Sequence, residues 1–304
     1  MNTLLQLLLF ALWAPVVNGV IKKTKAWLQR RRGSSIWQPY ADLRKYARKQ
    51  MVIADGATWL FHAAPWVVAA STAAAVLLIP GLRETQPLDL GDLLVLVGLL
   101  AIGRFALALA SLEPGSAFGG MGASREMAVA AFVEPALLLT LGAYVLRTGS
   151  TSLSAIALHL ARAGWGVVTP GHLLAALALL MITVAETGRV PVDNPDTHLE
   201  VTMIHEGMVL EYSGPYLALI IWAHDLKQLL MLTLLADLVV PYGLTAAVYV
   251  ALPLFLVKTL LFGVLLAGIE TALAKVRILK IPDLLLSSAA LAVLAVLADM
   301  RLGG

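Results

Sequence analysis

Apolar residues in this chain come in long unbroken runs, not in the alternating pattern of a half-buried strand or the striped pattern of a water-facing helix. A helix needs roughly 20 apolar residues to cross a hydrocarbon core of about 30 Å. Read with the breakers that flank them, the runs predict eight spanning helices, at 3–21, 57–80, 90–111, 126–146, 169–187, 214–238, 244–268 and 283–300. Pro80-Gly81, Pro114-Gly115, Pro170-Gly171 and Pro241 fall at or near the ends of these runs, where proline and glycine stop helices. The expectation is an all-α integral membrane protein, one polytopic membrane domain over 1–304. The first run has no positive charge before it and its lysines follow it, so it reads as a retained helix and not as a signal peptide.

An even number of spans puts both termini on one side, and charge selects the side. The segment 22–49 carries Lys22, Lys23, Lys25, Arg30, Arg31, Arg32, Arg44, Lys45, Arg48 and Lys49, and Arg125, Arg189, Lys275, Arg277 and Lys280 lie in loops of the same side. The other side has Arg83, Arg147, Arg162 and Arg301. Because cytoplasmic loops retain Lys and Arg, both termini are predicted outside, with loops 22–56, 112–125, 188–213 and 269–282 in the cytoplasm. Within the first loop, SIWQPYADLRKYARKQ (35–50) mixes Trp37, Tyr40, Leu43 and Tyr46 with basic residues and predicts a cytoplasmic amphipathic helix lying on the membrane surface, with a basic loop that only holds the topology as the alternative. Residues 150–168 are weakly apolar and predict an outer loop or short surface helix.

Composition narrows the chemistry. The chain is 60% hydrophobic and 13% charged, with a mean hydropathy of +0.85, a balance suited to lipid as solvent. It has no cysteine, so the thiolate ligands of iron–sulfur clusters and nickel–iron centres must come from other chains. His198 and His205 are seven residues apart, about 10 Å along a helix and too far for one zinc ion. His62, His172 and His224 read as interfacial side chains in preference to haem ligands. Glycine-rich phosphate loops, nucleophile elbows and zinc motifs are missing from the sequence.

Ionisable residues carry the remaining signal. Six of the 19 acidic residues fall between 186 and 211: Glu186, Asp193, Asp196, Glu200, Glu206 and Glu211. A helix over 197–212 would align Glu200, Ile204, Gly207 and Glu211 on one face; a solvated acidic loop is the alternative. Inside the spans lie Arg104, Glu126, Glu134, Asp225, Lys227, Asp237, Lys258 and Glu270. A charge facing lipid costs several kcal/mol, so such groups turn inward and mark ion or proton paths. Lys227 and Glu270 are also near enough to helix ends to snorkel, and Arg104 has the option of a single acidic partner.

Glu186-Thr-Gly-Arg-Val-Pro-Val-Asp193, followed by Glu211-Tyr-Ser-Gly214, resembles the ETNRxPFD and EYSG signature of the NADH dehydrogenase subunit 1 family. RRRGSSIWQPYADLRK, GASREMAVAAFVEPALLL, HLEVTMIHEGMVLEYSG, LKQLL and AKVRILKIPDLL resemble more closely the membrane anchors of group 4 nickel–iron hydrogenases, including the formate hydrogenlyase and hydrogenase-4 types. The resemblance covers about 20–300. It implies eight spans with both termini outside and a cytoplasmic platform for a peripheral arm bearing iron–sulfur clusters. It also implies a carboxylate chain leading toward antiporter-like membrane subunits. Glu134, Glu186, Asp193, Glu200 and Glu211 match the family's acidic positions, and with Asp225, Lys227 and Lys258 they form the expected proton pathway. Arg125 and Arg189 match family arginines, and with Gln38, Asp42 and Arg44 they form the expected docking surface. The sequence departs from quinone-reducing members at Ser34, Gly188 and Val192.

Three functional readings follow. The first is a non-catalytic anchor of a hydrogenase or formate hydrogenlyase complex in the prokaryotic cytoplasmic membrane. It binds no cofactor itself, and its partners carry Fe–S clusters and possibly a NiFe centre, in a small and a large subunit. The second is the quinone-site subunit of an NADH dehydrogenase-like complex. The third is a stand-alone ion-coupled transporter, against which stands the lack of an inverted repeat.

Overall fold

Lipid offers no hydrogen bonds to the backbone, so each apolar run must satisfy its own N–H and C=O groups, and a helix does this within the run. The computed structural model describes residues 3–53, 56–81, 91–193, 204–242 and 248–302. Its helices are α1 (Thr3–Leu28), α2 (Gln38–Ala47), α3 (Trp59–Leu78), α4 (Leu93–Leu112), α5 (Ala117–Thr148), α6 (Leu153–Ala163), α7 (Pro170–Glu186), α8 (His205–Val209), α9 (Gly214–Val239), α10 (Val248–Ala272) and α11 (Ile281–Leu302). Among the described residues there is no strand, only an isolated bridge between Asp92 and Ser152. Seven helices, α1, α3, α4, α5, α9, α10 and α11, are long and apolar enough to cross a membrane. The eighth expected span, α7, has 17 residues, about 26 Å at 1.5 Å per residue and the short limit for crossing.

Capping fixes several starts. Thr58, Asp92, Ser116 and Thr169 each accept a backbone N–H from the first turn of α3, α4, α5 and α7, satisfying donors that a helix start leaves open. Ser116 places the start of α5 nine residues before the expected boundary, so 117–125, expected within a loop, is helical. The surface helix expected in 35–50 is α2, with Pro39 in its first turn. The segment 150–168 forms α6 and a short 3-10 turn at Gly164–Val167.

In the described part of 197–212 the helix stops at Val209, short of Glu211. Only His205–Val209 is helical, and Asp196, His198 and Glu200 lie outside the described residues. The reason is visible at Tyr212. Its ring stacks on Phe61 at 4.2 Å, and its hydroxyl donates to the Phe61 carbonyl at 3.0 Å. A helix continuing from α8 would carry Tyr212 away from that position.

α9 is the central helix, packed against α1, α2, α3, α7 and α10. It buries Leu226, Leu229, Leu230 and Met231 completely, and with them Asp225, Gln228 and Asp237. α3 packs on α4, α1 on α10, and α11 on both α7 and α5. Leu94, Ile102, Leu146, Leu177 and Leu294 face outward on the spanning helices, as a lipid-facing surface requires.

α8 reaches the bundle because two glycines let backbones meet. A Cβ on Gly122 of α5 would lie 2.9 Å from the Ile204 carbonyl oxygen, and one on Gly207 would lie 3.3 Å from the Gly122 Cα. Gly207→Val must therefore push α8 off α5, an overpacking cost of about 1–3 kcal/mol. The thermal unfolding midpoint of the variant in detergent is expected several degrees below that of the parent; an unchanged midpoint would show that the contact is slack.

Candidate functional site

The site is built where α7 stops. Thr187 closes the helix and Gly188 turns into the left-handed region at φ +58°. The Gly188 N–H donates to the Ala185 carbonyl at 3.1 Å, and the Arg189 N–H donates to Val184 at 3.0 Å, the paired bonds of a Schellman ending. This turn leaves Glu186 on one side of the α7 terminus and Arg189 on the other.

Glu186 meets Arg104 of α4. The Arg104 guanidinium donates to both Glu186 oxygens and to Glu134 of α5. Its Nε lies 3.2 Å from Glu126, close enough for an ion pair although not aligned as a hydrogen bond. Lys227 of α9 adds a contact to Glu186 at 2.9 Å. The Arg104 and Glu186 side chains are 5% and 2% exposed, whereas Glu134 is 34% exposed. Glu126 and Glu134 are eight residues apart, about 80° round the helix, and the length of the arginine side chain lets it bind both.

Arg189 organises a second cluster. It donates to Gln228 at 2.8 Å, to Asn18 at 3.0 Å and to Glu270 at 3.3 Å. Asn18 in turn donates to Asp225 at 2.6 Å, and Lys25 lies 3.6 Å from Glu270. Beside it Lys275 holds Asp193 at 3.1 Å, and Asp193 accepts the His205 backbone N–H at 3.3 Å. Lys258 pairs with Asp237 at 2.9 Å, between α10 and α9, away from both clusters.

Two cavities adjoin these groups. One, of about 40 Å³, is lined by Arg104, Glu126, Lys227, His205 and His224 among apolar residues. The other, of about 320 Å³, is lined by Asn18, Lys22, Lys25, Arg189, Asp193, Glu206, Asp225, His205 and His224. It lies at the end of the bundle where the basic residues of α1 and α2 gather. A water-sized site needs about 10–15 Å³ and several polar partners, which both cavities offer. The Tyr40 hydroxyl of α2 donates to the Leu12 carbonyl; burial, and then the nearby Asp225 charge, push its ionisation up from the ordinary phenol value.

The NADH dehydrogenase family profile matches residues 1–299. The chain belongs to that family. Hydrogenase-4 component C of Escherichia coli K12 is 36% identical over 287 residues, covering 91% of this chain and 89% of that protein. Formate hydrogenlyase subunit 4 of the same organism is 33% identical over 279 residues, covering 90% and 89%. A chain in the structure of the membrane-bound sulfane sulfur reductase, an archaeal respiratory membrane complex, superposes with a TM-score of 0.84 at 20% identity, covering 98% of this chain and 99% of that one. That likeness shows a shared fold. Membership of the family agrees with the resemblance carried by the signature at 186–193 and 211–214.

The expected site residues divide clearly. Glu134, Glu186 and Lys227 meet at Arg104; Asp225 and Arg189 share the second cluster; Asp193 borders it. Lys258 stands apart with Asp237. Glu211 falls in the turn between α8 and α9, half-buried, and lines neither cavity. Gln38 and Asp42 of α2 bond to each other at 3.0 Å, and Arg44 borders an apolar groove with Trp66 and Trp222. Arg125 lies on α5 beside Met121. Neither Lys227 nor Glu270 snorkels: the Glu270 side chain is fully enclosed. Sequence reasoning named Arg104 but gave it one acid where it has three, and it did not assign Asn18 or Gln228. A lone arginine inside an apolar helix was the available signal; nothing in the spacing marked the two amides. Among the described residues no group of three or more His, Asp or Glu could hold a metal ion.

Removing Arg104 leaves three carboxylates with one ammonium between them. Arg104→Met is expected to destabilise by about 3–5 kcal/mol, the cost of stranding buried charge. Adding Glu186→Gln should recover part of that loss, and thermal unfolding of both single variants and the double variant measures the coupling; strict additivity would mean the contact carries no weight.

Proposed function

We propose that this chain is the membrane anchor of a multi-subunit complex of the group 4 hydrogenase or formate hydrogenlyase type. In this reading it docks a peripheral redox arm and couples electron transfer there to proton movement through its buried carboxylates. The observation that carries the reading is the Arg104 cluster. Three carboxylates, Glu126, Glu134 and Glu186, share two cations, Arg104 and Lys227. With all three acids ionised the cluster has a formal charge of −1, so one added proton neutralises it. A charge displaced nearby, as electrons reach the end of the peripheral arm, changes the free energy of that proton by Coulomb interaction at low dielectric.

The geometry suits a relay with two ends. The larger cavity faces the basic end of the bundle, which the distribution of Lys and Arg assigns to the cytoplasm, and places both termini outside. There α2, with Gln38, Asp42 and Arg44, and the start of α5 at Arg125 form the docking surface for cluster-bearing small and hydrogenase-like large subunits, while Arg189, 5% exposed, is held inside the second cluster. The Fe–S clusters, and a nickel–iron centre where one is kept, sit on those partners, because this chain has no cysteine. At the other end Glu134 is one-third exposed on a spanning helix. Lipid is a costly neighbour for it, and a second membrane subunit of the antiporter type is the partner that covers it and accepts the proton. Asp193 lines the larger cavity and belongs to its approach, and Glu200 and Glu211 keep a place in the path on the family resemblance alone. Lys258 with Asp237 forms a separate ion pair whose role in the path is to hold α10 against α9.

Purification in mild detergent, followed by identification of the co-purifying chains, tests the assembly. Recovery of a cysteine-rich large subunit and cluster-bearing small subunits is expected; a chain that purifies alone and moves ions in liposomes overturns the reading. In the intact complex, reconstituted in liposomes and driven by a low-potential electron donor, Glu186→Gln is expected to lower protons moved per electron at least tenfold. A ratio equal to the parent's would remove the carboxylates from the path.

A further inference from the structure

The two cavities meet at a pair of imidazoles. His205 opens α8 and His224 lies in α9, and their ring centroids are 4.7 Å apart with planes tilted by 32°. Both side chains line the smaller cavity and the larger one; Ile220 is the other residue the two linings have in common, and it has no group that takes a proton. The two rings are thus the only proton-accepting side chains common to both linings, at the place where a path from the larger cavity to the Arg104 cluster has to run. We propose that His205 and His224 form a two-imidazole gate that passes protons between the larger cavity and the Arg104 carboxylate cluster, an inference that rests on the function proposed above.

The chemistry needs no net reaction. Each imidazole takes a proton at one ring nitrogen and releases one from the other, so the ring ends neutral and one proton has moved. The surrounding charges decide how many protons the pair holds. On the side of the larger cavity the rings face Lys22 and Lys25 of α1, Arg189 and Asp193 of the turn after α7, Glu206 of α8 and Asp225 of α9. On the side of the smaller cavity they face Arg104 of α4, Glu126 of α5 and Lys227 of α9. Five of these nine groups are cationic, and a charged ring beside another charged ring adds a further repulsion. Two charged rings with centroids 4.7 Å apart repel each other, so in this proposal protons cross the pair singly. This is what makes the pair a gate and not an open wire. The glycine contact between α5 and α8 gives the arrangement its position, because His205 is two residues from Gly207.

The test uses the intact complex in liposomes with a trapped pH-sensitive dye, driven by reduced methyl viologen. His224→Gln and His205→Gln are each expected to lower protons moved per electron at least tenfold. For His224→Ala, tens of millimolar imidazole in the medium should restore the ratio, because a free imidazole fits the space left by the ring; a merely structural role would not respond to it. Glu186→Gln is measured in parallel. If Glu186→Gln lowers the ratio while both His→Gln variants keep the parent value, the gate is wrong and the function proposed above stands. If none of the variants changes the ratio, that function falls and the gate with it. If His224→Ala lowers the ratio and imidazole does not restore it, the ring acts as packing and the gate is overturned. Should the variants fail to assemble, acylation of the parent complex with diethyl pyrocarbonate gives the same reading. Modification mapped to His205 or His224 should remove coupling and hydroxylamine should return it; coupling that survives full modification of both overturns the proposal.

Discussion

A guanidinium buried among helices is expensive unless every face of it is answered, and the arrangement of this bundle depends on answering one. Arg104 stands on α4; its partners come from α5 and α7, and Lys227 of α9 completes the set. Four helices are thus held by one ionic cluster whose components would each cost several kcal/mol if stranded. Apolar packing supplies most of the cohesion, but Leu against Leu sets no register. The cluster does, since it forms at only one vertical alignment of α4, α5, α7 and α9.

The Schellman ending of α7 is what lets two such clusters sit side by side. Glu186 is the last residue of the helix and Arg189 the second after its cap, so opposite charges three residues apart serve different networks without neutralising each other. Gly188 makes the reversal possible. The family signature has asparagine at this place, and asparagine is the other residue that readily adopts a left-handed backbone. The difference between the two is therefore small in structural terms: a Cβ at Gly188 meets nothing within 4 Å. The departure at 188 reports on turn chemistry and not on which electron acceptor the complex uses.

Much of this was legible in the sequence, and the limits have physical causes. Lipid imposes continuous apolar runs, so seven spans and the short α7 were readable from hydropathy. The early start of α5 was hidden because residues 117–125 are glycine-rich and polar enough to resemble a loop, while their helix is secured by the Ser116 cap and by Gly122 against α8. The charges inside the spans identified candidate residues, since lipid forbids them elsewhere. Pairing is a different matter: that Arg104 binds three acids, or that Glu270 joins Arg189 and not solvent, depends on the relative rotation of helices distant in sequence. Asn18 and Gln228 were invisible for the same reason, as isolated amides carry no periodic signal.

Glu134 leaves one-third of its side chain exposed on a spanning helix, beside a proline. Of the three acids gathered at Arg104 it is therefore the one most open to whatever lies against α5, and Glu186 the one most shut in.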